Sequence, residues 1–380
     1  MSRRVFVALS GGVDSSVAAA LLQERGFDVV GIHMRMWSPK GSYQLPATSY
    51  QPNMVCRQQV EDRYDAMRVA AKLDIPFQTW DFSEEYQRAV VEYMIREYAA
   101  GRTPNPDVMC NREIKFGLFL KRALAMGAEF IATGHYARQK LEARKWKIET
   151  ASDLNKDQSY FLWTLTQEQL RHCLFPIGDC QKSEVREMAR KFGLPTAEKP
   201  DSQGVCFIGE FDMRQFLKHY IPERKGIVRT AAGKTVGEHD GAEFFTIGQR
   251  HGLGNGGSPS PRLRRSEGGI PYYVAGKDIP ANTITVAEGP YDGNLFQEEL
   301  VAADINWVSG KVPKLPLRCE ARIRYRQPLQ PCTAARIKKQ ESRSKEGNGL
   351  LHASRFILHV TFDEPQRAVT PGQSIEFYNA

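Results

Sequence analysis

Short apolar runs alternate with stretches of helical periodicity over the first third of the chain. Val5-Phe6-Val7-Ala8-Leu9 is unbroken by polar residues, the pattern of a strand buried on both faces. Behind it Val13, Val17 and Leu21 recur at four-residue spacing with Ala18, Ala20 and Leu22 beside them, which predicts a helix ending at Gly26. Val29 to Met34, Ile75 to Trp80 and Phe130 to His135 read as further strands. Helical patterns over about 57–73, 83–100 and 112–126 separate them. This alternation predicts an α/β fold with a doubly wound parallel sheet, whose ligands bind at the carboxyl ends of the strands. Ser10 onward and Gly134 onward lie at such ends.

After Lys156 the pattern turns helical, over 167–173, 182–192 and 211–220. From about Glu223 it becomes short strands with frequent turns: 226–230, 244–247, 272–276, 283–287, 318–326, 332–338, 356–362 and 374–378. That spacing predicts β-barrel-like modules. The expected domains are 1–210, with a helical part over about 156–210, a central β-rich domain over 211–290, and a C-terminal β-barrel-like domain over 291–380. Residues 254–269 and 338–349 read as flexible from their Gly, Ser and charged composition.

Composition narrows the class. Apolar residues make up 41% and charged residues 25% of 380, an ordinary globular balance. No run approaches the roughly 20 apolar residues of a membrane span, and Met1-Ser2-Arg3-Arg4 leads into the first strand without a signal-peptide core. A cytoplasmic protein without membrane association is expected. The seven cysteines are odd in number and form no C-x-x-C pair, which argues against a disulfide framework or a zinc ribbon. A net charge of +8 suits a polyanionic partner without establishing one.

Ser10-Gly11-Gly12-Val13-Asp14-Ser15-Ser16 joins the first strand to the first helix. Two glycines let the backbone approach a ligand, and a helix start offers unpaired N–H groups to an anion. Ser10, Ser15 and Ser16 can donate to phosphate oxygens, and Asp14 can hold a cation or cap the helix. The run has neither the Gly-Lys-Ser/Thr ending of a Walker loop nor a G-x-G-x-x-G spacing, and Gly233-Lys234-Thr235 lacks the first Walker glycine. It resembles the SGGxDS loop of PP-loop pyrophosphatases.

Two loops carry cysteines. Thr103-Pro104-Asn105-Pro106-Asp107 leads to Cys110, placed where the next helix is expected to begin, and there the dipole favours a thiolate. Taken alone, Cys110 reads as a small buried hydrophobe. Cys206 lies between Gly204 and Gly209 in a second loop. Asn155 to Phe161 mixes charge, amide and aromatic groups suited to nucleic acid, although an interdomain hinge looks similar. Alternation over 318–326 sets Arg318, Glu320, Arg322, Arg324 and Arg326 on one face, a basic stripe for a phosphate backbone. His135 reads as a packed histidine, and no metal site built from protein ligands is expected.

In order and spacing, SGGVDSS, GRTPNPDVMCNREIKFG, IATGHYAR, NKDQSYFLW, DSQGVCFIGE, TIGQRHGLG, RYRQP and AVTPGQSIEFY resemble the tRNA-specific 2-thiouridylase family, from about Val5 to Tyr378. The resemblance implies ATP-dependent conversion of the wobble uridine of tRNA to 2-thiouridine. It implies ATP at Ala8, Leu9, Ser10, Gly11, Gly12, Val13, Asp14 and Ser15, with Met34 and Gly134, helped by Mg2+. Asn105, Pro106 and Asp107 would meet the target base, and Lys156, Asp157, Gln158, Arg324 and Tyr325 the tRNA. Cys206 would carry the persulfide and Cys110 would be its partner, either after the persulfide attacks the base directly or by first freeing hydrosulfide that then attacks, ending in a disulfide, with Asp107 beside them in catalysis. The implied partners are tRNA with Glu, Gln or Lys anticodons and a persulfide donor, either a cysteine desulfurase or a sulfur-relay protein. A monomer is expected. The alternatives are another PP-loop adenylating synthetase with structural cysteines, or a tRNA-binding module without catalysis.

Overall fold

The computed structural model describes residues 2–37, 52–201, 213–250, 268–337 and 357–378. The segments read as flexible, 254–269 and 338–349, and the loop around Cys206 lie largely or wholly outside the described residues. The chain divides into two compact units.

The first unit holds residues 1–93, 106–212 and 306–311. Its sheet contains β1 (Arg4–Ala8), β2 (Asp28–Arg35), β3 (Phe77–Asp81), β4 (Phe130–Ala132) and β7 (Cys173–Leu174), in the order β3-β2-β1-β4-β7. All four pairings are parallel. β1 is central and buried from Val5 onward, as its apolar run requires. Helix α1 (Val13–Glu24) packs Val13, Val17, Ala18 and Leu22 into the core with Val5, Val7, Leu9 and Val29. From α8 (Lys182–Lys191), Val185 and Ala189 join the same cluster.

Several elements differ from the sequence reading. The expected helix over 167–173 stops as α7 (Gln167–Leu170), because Cys173-Leu174 adds an edge strand beside β4. A hairpin, β5 (Arg138–Glu142) with β6 (Lys145–Glu149), adds to the expected elements; Trp146 and Ile148 alternate with charged residues in β6, a strand signal only five residues long. Its turn places Ala143 and Arg144 at positive φ without the usual Asn-Gly signal. The helix expected from about Arg112 starts earlier, as α5 (Pro106–Met109), and continues through a π-helical stretch, Cys110–Phe119, into α6 (Leu120–Ala125).

The second unit holds residues 94–105, 213–305 and 312–380. One sheet orders β10 (Tyr272–Asp278), β11 (Thr283–Glu288), β8 (Gly226–Thr230) and β9 (Thr235–His239). Gly233 at φ +86° sits in the turn between β8 and β9, so Gly233-Lys234-Thr235 belongs to a hairpin. The other sheet orders β12 (Phe296–Ala302), β15 (Leu358–Arg367), β14 (Gln330–Arg336), β13 (Leu317–Arg322) and β16 (Glu376–Tyr378), all antiparallel. The strand expected over 244–247 is instead a 3₁₀ turn, Ala242–Phe244, followed by loop.

The basic stripe is also corrected. β13 ends at Arg322, and Arg326 adopts φ +63°, so strand alternation does not reach Arg324 or Tyr325. Arg318 pairs with Asp363, and Arg322 is buried beside Glu376. Within β13 these arginines are neutralised by the fold.

Candidate functional site

The strand-to-helix loop sits at the carboxyl end of the central strand. Leu9 donates its N–H to Ile32 O at 2.8 Å, which extends the β1–β2 pairing to the edge of the loop. Gly11 then turns at φ +81°, and a Cβ there would lie 2.2 Å from Asp62 O. Only glycine satisfies both conditions. Gly12 is the N-cap of α1, and no side chain among the described residues caps it. Ser10 N–H donates to Ser15 Oγ at 3.2 Å, and Ser15 Oγ donates to Gly12 O at 3.1 Å, so the hydroxyls brace the turn. Ser16 is buried; its hydroxyl donates to Gly12 O at 2.8 Å and accepts from Thr196 at 3.0 Å. It therefore serves the loop's shape.

Gly134 closes the other wall. A Cβ on it would come within 2.6 Å of Ser15 N and 2.8 Å of Asp14 C, so the chain leaving β4 touches the first turn of α1 directly. Met34 is buried near the end of β2, in register with Trp80. Ala8 to Ser15, Met34 and Gly134 thus come from the carboxyl ends of three neighbouring strands, β1, β2 and β4. His33 beside them is buried, and its Nδ1 lies 3.0 Å from Leu9 O. Because a carbonyl only accepts, Nδ1 carries the proton. Burial pushes the His33 pKa down, against the backbone contact and Asp62.

Asp14 does not cap the helix. Its Oδ1 accepts from Tyr136 Oη at 2.9 Å and from Lys182 Nζ at 2.7 Å. Lys182 also pairs with Asp201 at 2.9 Å, and Asp201 takes Lys156 at 2.7 Å and Arg186 at 2.7 Å. Burial opposes ionisation of Asp201, but the hydrogen bonds from Lys156 and Lys182 outweigh it and hold its carboxyl far below the usual range. Burial and the Asp14 carboxylate together push the Tyr136 phenol far up. Lys199 reaches Gly11 O at 3.0 Å, Asp62 at 2.7 Å and Asp65 at 2.6 Å. Its burial lowers the ammonium pKa, yet the hydrogen bonds it donates to Asp62 and Asp65 prevail and raise it. The segment from Thr196 to Asp201 is therefore stitched to the phosphate-type loop through Ser16, Gly11 and, by way of Lys182, Asp14.

The remaining expected residues fall as follows. Cys110 is buried and lies one turn inside the helix that begins at Pro106, not at its start, so dipole assistance is weaker than the sequence suggested. Pro106 and Asp107 form the first turn of α5, and Asn105 precedes it. Lys156 is committed to Asp201. Asp157 is buried, accepting from the N–H groups of Ala151 and Ser159, and Gln158 exchanges hydrogen bonds with the Tyr136 backbone at 3.0 and 2.7 Å. In the second unit, Arg324 donates to Ile247 O, Ala368 O and Thr370 Oγ1. Tyr325 carries Arg326 over its ring at 5.0 Å. His135 is fully packed between Phe116 and Phe175, with burial and then Lys115 driving its pKa well down.

Comparison with known proteins matches this layout along the chain. Residues 3–210 match the family model described as the tRNA methyl transferase HUP domain, 214–288 the tRNA methyl transferase PRC-barrel domain, and 297–344 with 350–380 the aminomethyltransferase beta-barrel domain. A tRNA-specific 2-thiouridylase of Geobacillus kaustophilus is 46% identical over 99% of this chain and 91% of its own length. One from Burkholderia thailandensis is 45% identical with the same coverage. The chain belongs to the tRNA-specific 2-thiouridylase family. Its first unit is accordingly a PP-loop domain with a parallel sheet, followed by the two barrel-type domains. Within this family frame Tyr136, Lys182, Lys199 and Asp201 escaped the sequence reading. Tyr136 and Asp201 lie inside the IATGHYAR and DSQGVCFIGE runs, whereas lone lysines on a helix and in a loop carry no spacing signal.

Proposed function

We propose that this protein is an ATP-dependent tRNA-uridine 2-sulfurtransferase acting on the wobble uridine. The observation that carries the reading is the junction of the PP loop with the chain entering the Cys206 segment, through Lys182 held between Asp14 and Asp201. Phosphate chemistry and sulfur chemistry are then built on adjoining stretches of one domain. The glycine loop and the N-terminus of α1 receive the triphosphate, with Gly134 letting the chain after β4 pack against the first turn of α1 and Lys182 supplying positive charge.

The 2-oxygen of uracil attacks the α-phosphorus of ATP, and pyrophosphate leaves. The base now carries AMP as its leaving group. The terminal sulfur of a Cys206 persulfide attacks C2, AMP departs, and Cys110 thiolate attacks the inner sulfur. The outer sulfur remains on the base as the 2-thione, a Cys110–Cys206 disulfide forms, and an external thiol reduces it. Asn105, Pro106 and Asp107 receive the base, while Lys156, Asp157, Gln158, Arg324 and Tyr325 serve tRNA binding. Since Asp157 is buried, its part is to hold the loop that presents its neighbours.

Magnesium fits this donor set. The ion needs only one or two carboxylates when phosphate oxygens complete its shell; Tyr136 and Lys182 both bond Oδ1 of Asp14, so Oδ2 would be the oxygen that holds it. When bound it would offset phosphate charge. The partners are a tRNA with a Glu, Gln or Lys anticodon and a cysteine desulfurase or sulfur-relay protein, and the enzyme acts as a cytoplasmic monomer.

The deciding experiment incubates unmodified tRNA with the protein, ATP, magnesium and a persulfide donor, followed by mass spectrometry of the nucleosides. Appearance of 2-thiouridine, lost in Cys206→Ser, is the expected result. ATP cleavage without a thiolated base would instead assign another adenylating enzyme.

A further inference from the structure

Three segments converge, within the second unit, on the short stem Thr103-Pro104. They are Thr246 to Gln249, Arg324, and Ala368 to Gln373. Thr103 N–H donates to Pro371 O at 2.8 Å. Gln373 Nε2 donates to Thr103 O at 2.9 Å and to Pro104 O at 3.2 Å. Thr103 Oγ1 lies 3.1 Å from Thr246 Oγ1. Gly372 makes the approach feasible: its φ is +95°, and a Cβ would sit 2.8 Å from Thr103 O and 2.9 Å from its N.

The gripping turn is itself held from behind. Arg324 Nη2 donates to Ala368 O at 2.9 Å, Thr370 Oγ1 at 2.6 Å and Ile247 O at 3.1 Å. Gly248 at φ +84° packs on Ala368, where a Cβ would come within 2.6 Å of the alanine methyl group. Residues separated by up to 270 positions thus fix one dipeptide.

Asn105 follows that dipeptide and is flanked by Pro104 and Pro106. Prolines fix φ on both sides, so once the stem is clamped Asn105 has little conformational freedom left. Pre-set geometry of this kind raises the rate of a step that needs alignment and leaves overall affinity little changed. We propose that Gln373 is a positioning residue for the target base, acting through Thr103 and Pro104 to hold Asn105 where the uracil is received. This rests on the base-contact reading of Asn105 given above. Gln373 suits the task because its amide supplies two donors to two carbonyls. A glutamate of the same shape supplies acceptors only.

The test uses the full-length protein with Gln373→Glu and Gln373→Ala; the alanine variant, which adds no charge, decides where the glutamate variant fails to fold. Amide exchange of the peptide spanning 98–109 is measured with ATP affinity, tRNA affinity and single-turnover thiolation at saturating ATP and tRNA. The expected result is about tenfold faster exchange at Thr103 and about tenfold slower thiolation, with both affinities within about threefold of the parent. Unchanged exchange, or faster exchange with an unchanged thiolation rate, overturns the proposal. A parent protein that forms no 2-thiouridine defeats the functional reading and the positioning role with it, whereas the exchange data still decide whether Gln373 clamps the stem.

Discussion

Lys182, the first residue of α8, donates from Nζ to Asp14 Oδ1 at 2.7 Å, 168 positions away in the first turn of α1. The same ammonium reaches Asp201 at 2.9 Å and lies 5.8 Å from the centre of the Tyr136 ring. A cation between two carboxylates keeps Asp14 from repelling an incoming triphosphate as a bare charge. It also links the nucleotide loop to the chain that leads toward Cys206.

Replacing Lys182 with Met keeps the side-chain length and removes the charge. Hydrogen bonds to charged groups contribute about 1.5 to 3 kcal/mol, so ATP affinity should fall roughly ten- to a hundredfold. Titration calorimetry with ATP checks this. An unchanged affinity would remove Lys182 from the nucleotide site.

Gly134 yields a steric prediction. Its missing Cβ would meet backbone atoms of Asp14 and Ser15, which cannot rotate away as a side-chain tip could. Gly134→Ala should lower stability by about 1 to 3 kcal/mol, the usual range for overpacking, and should impair ATP binding as the loop is displaced. Gly293→Ala, with nothing within 4 Å of the added atom, should stay near neutral. Urea unfolding of both variants makes the comparison.

The parallel sheet and the phosphate-type loop were legible because both are written in contiguous residues: apolar runs for β1 and β2, and Ser10 to Ser16 for the turn. The network around Asp201 was not, since Asp14, Lys156, Lys182 and Asp201 acquire meaning only when four distant segments meet. Helix position misled the reading of Cys110. Pro106 is well suited to open a helix, so the helix begins about six residues before the Arg112 start that its apolar periodicity suggests. For Arg324, alternation was extended past the true end of β13, and the side chain instead turns inward onto carbonyl groups.

Cys110 is buried, whereas Cys180 is half-buried. A thiol attacked by iodoacetamide must be reached by solvent as thiolate. In the protein alone, Cys110 should therefore react more slowly than Cys180, although burial and then Glu184 raise the Cys180 pKa. If Cys110 acts on the persulfide, adding tRNA and ATP should change its labelling rate and leave that of Cys180 alone. Peptide mass spectrometry of timed alkylation reads both sites, and a Cys110 rate untouched by substrates would return it to a packing role.

Acid sensitivity follows from Asp201. Burial raises its pKa, but the hydrogen bonds from Lys156 and Lys182 lower it more, leaving the folded value below the ordinary 3.8. A depressed carboxylate stabilises the fold fully above its unfolded pKa and loses that contribution as pH falls below 3.8 toward the folded value. The unfolded chain binds the proton first, so stability must decrease with falling pH across that window. In Asp201→Asn the amide does not titrate, and the stability of this variant should change less steeply between about pH 4 and pH 2. Denaturant unfolding of parent and variant at several pH values measures the two slopes. Equal slopes would mean that Asp201 is not held as a carboxylate by Lys156 and Lys182. The charged bridge from Asp14 through Lys182 to Asp201 would then lose its physical basis.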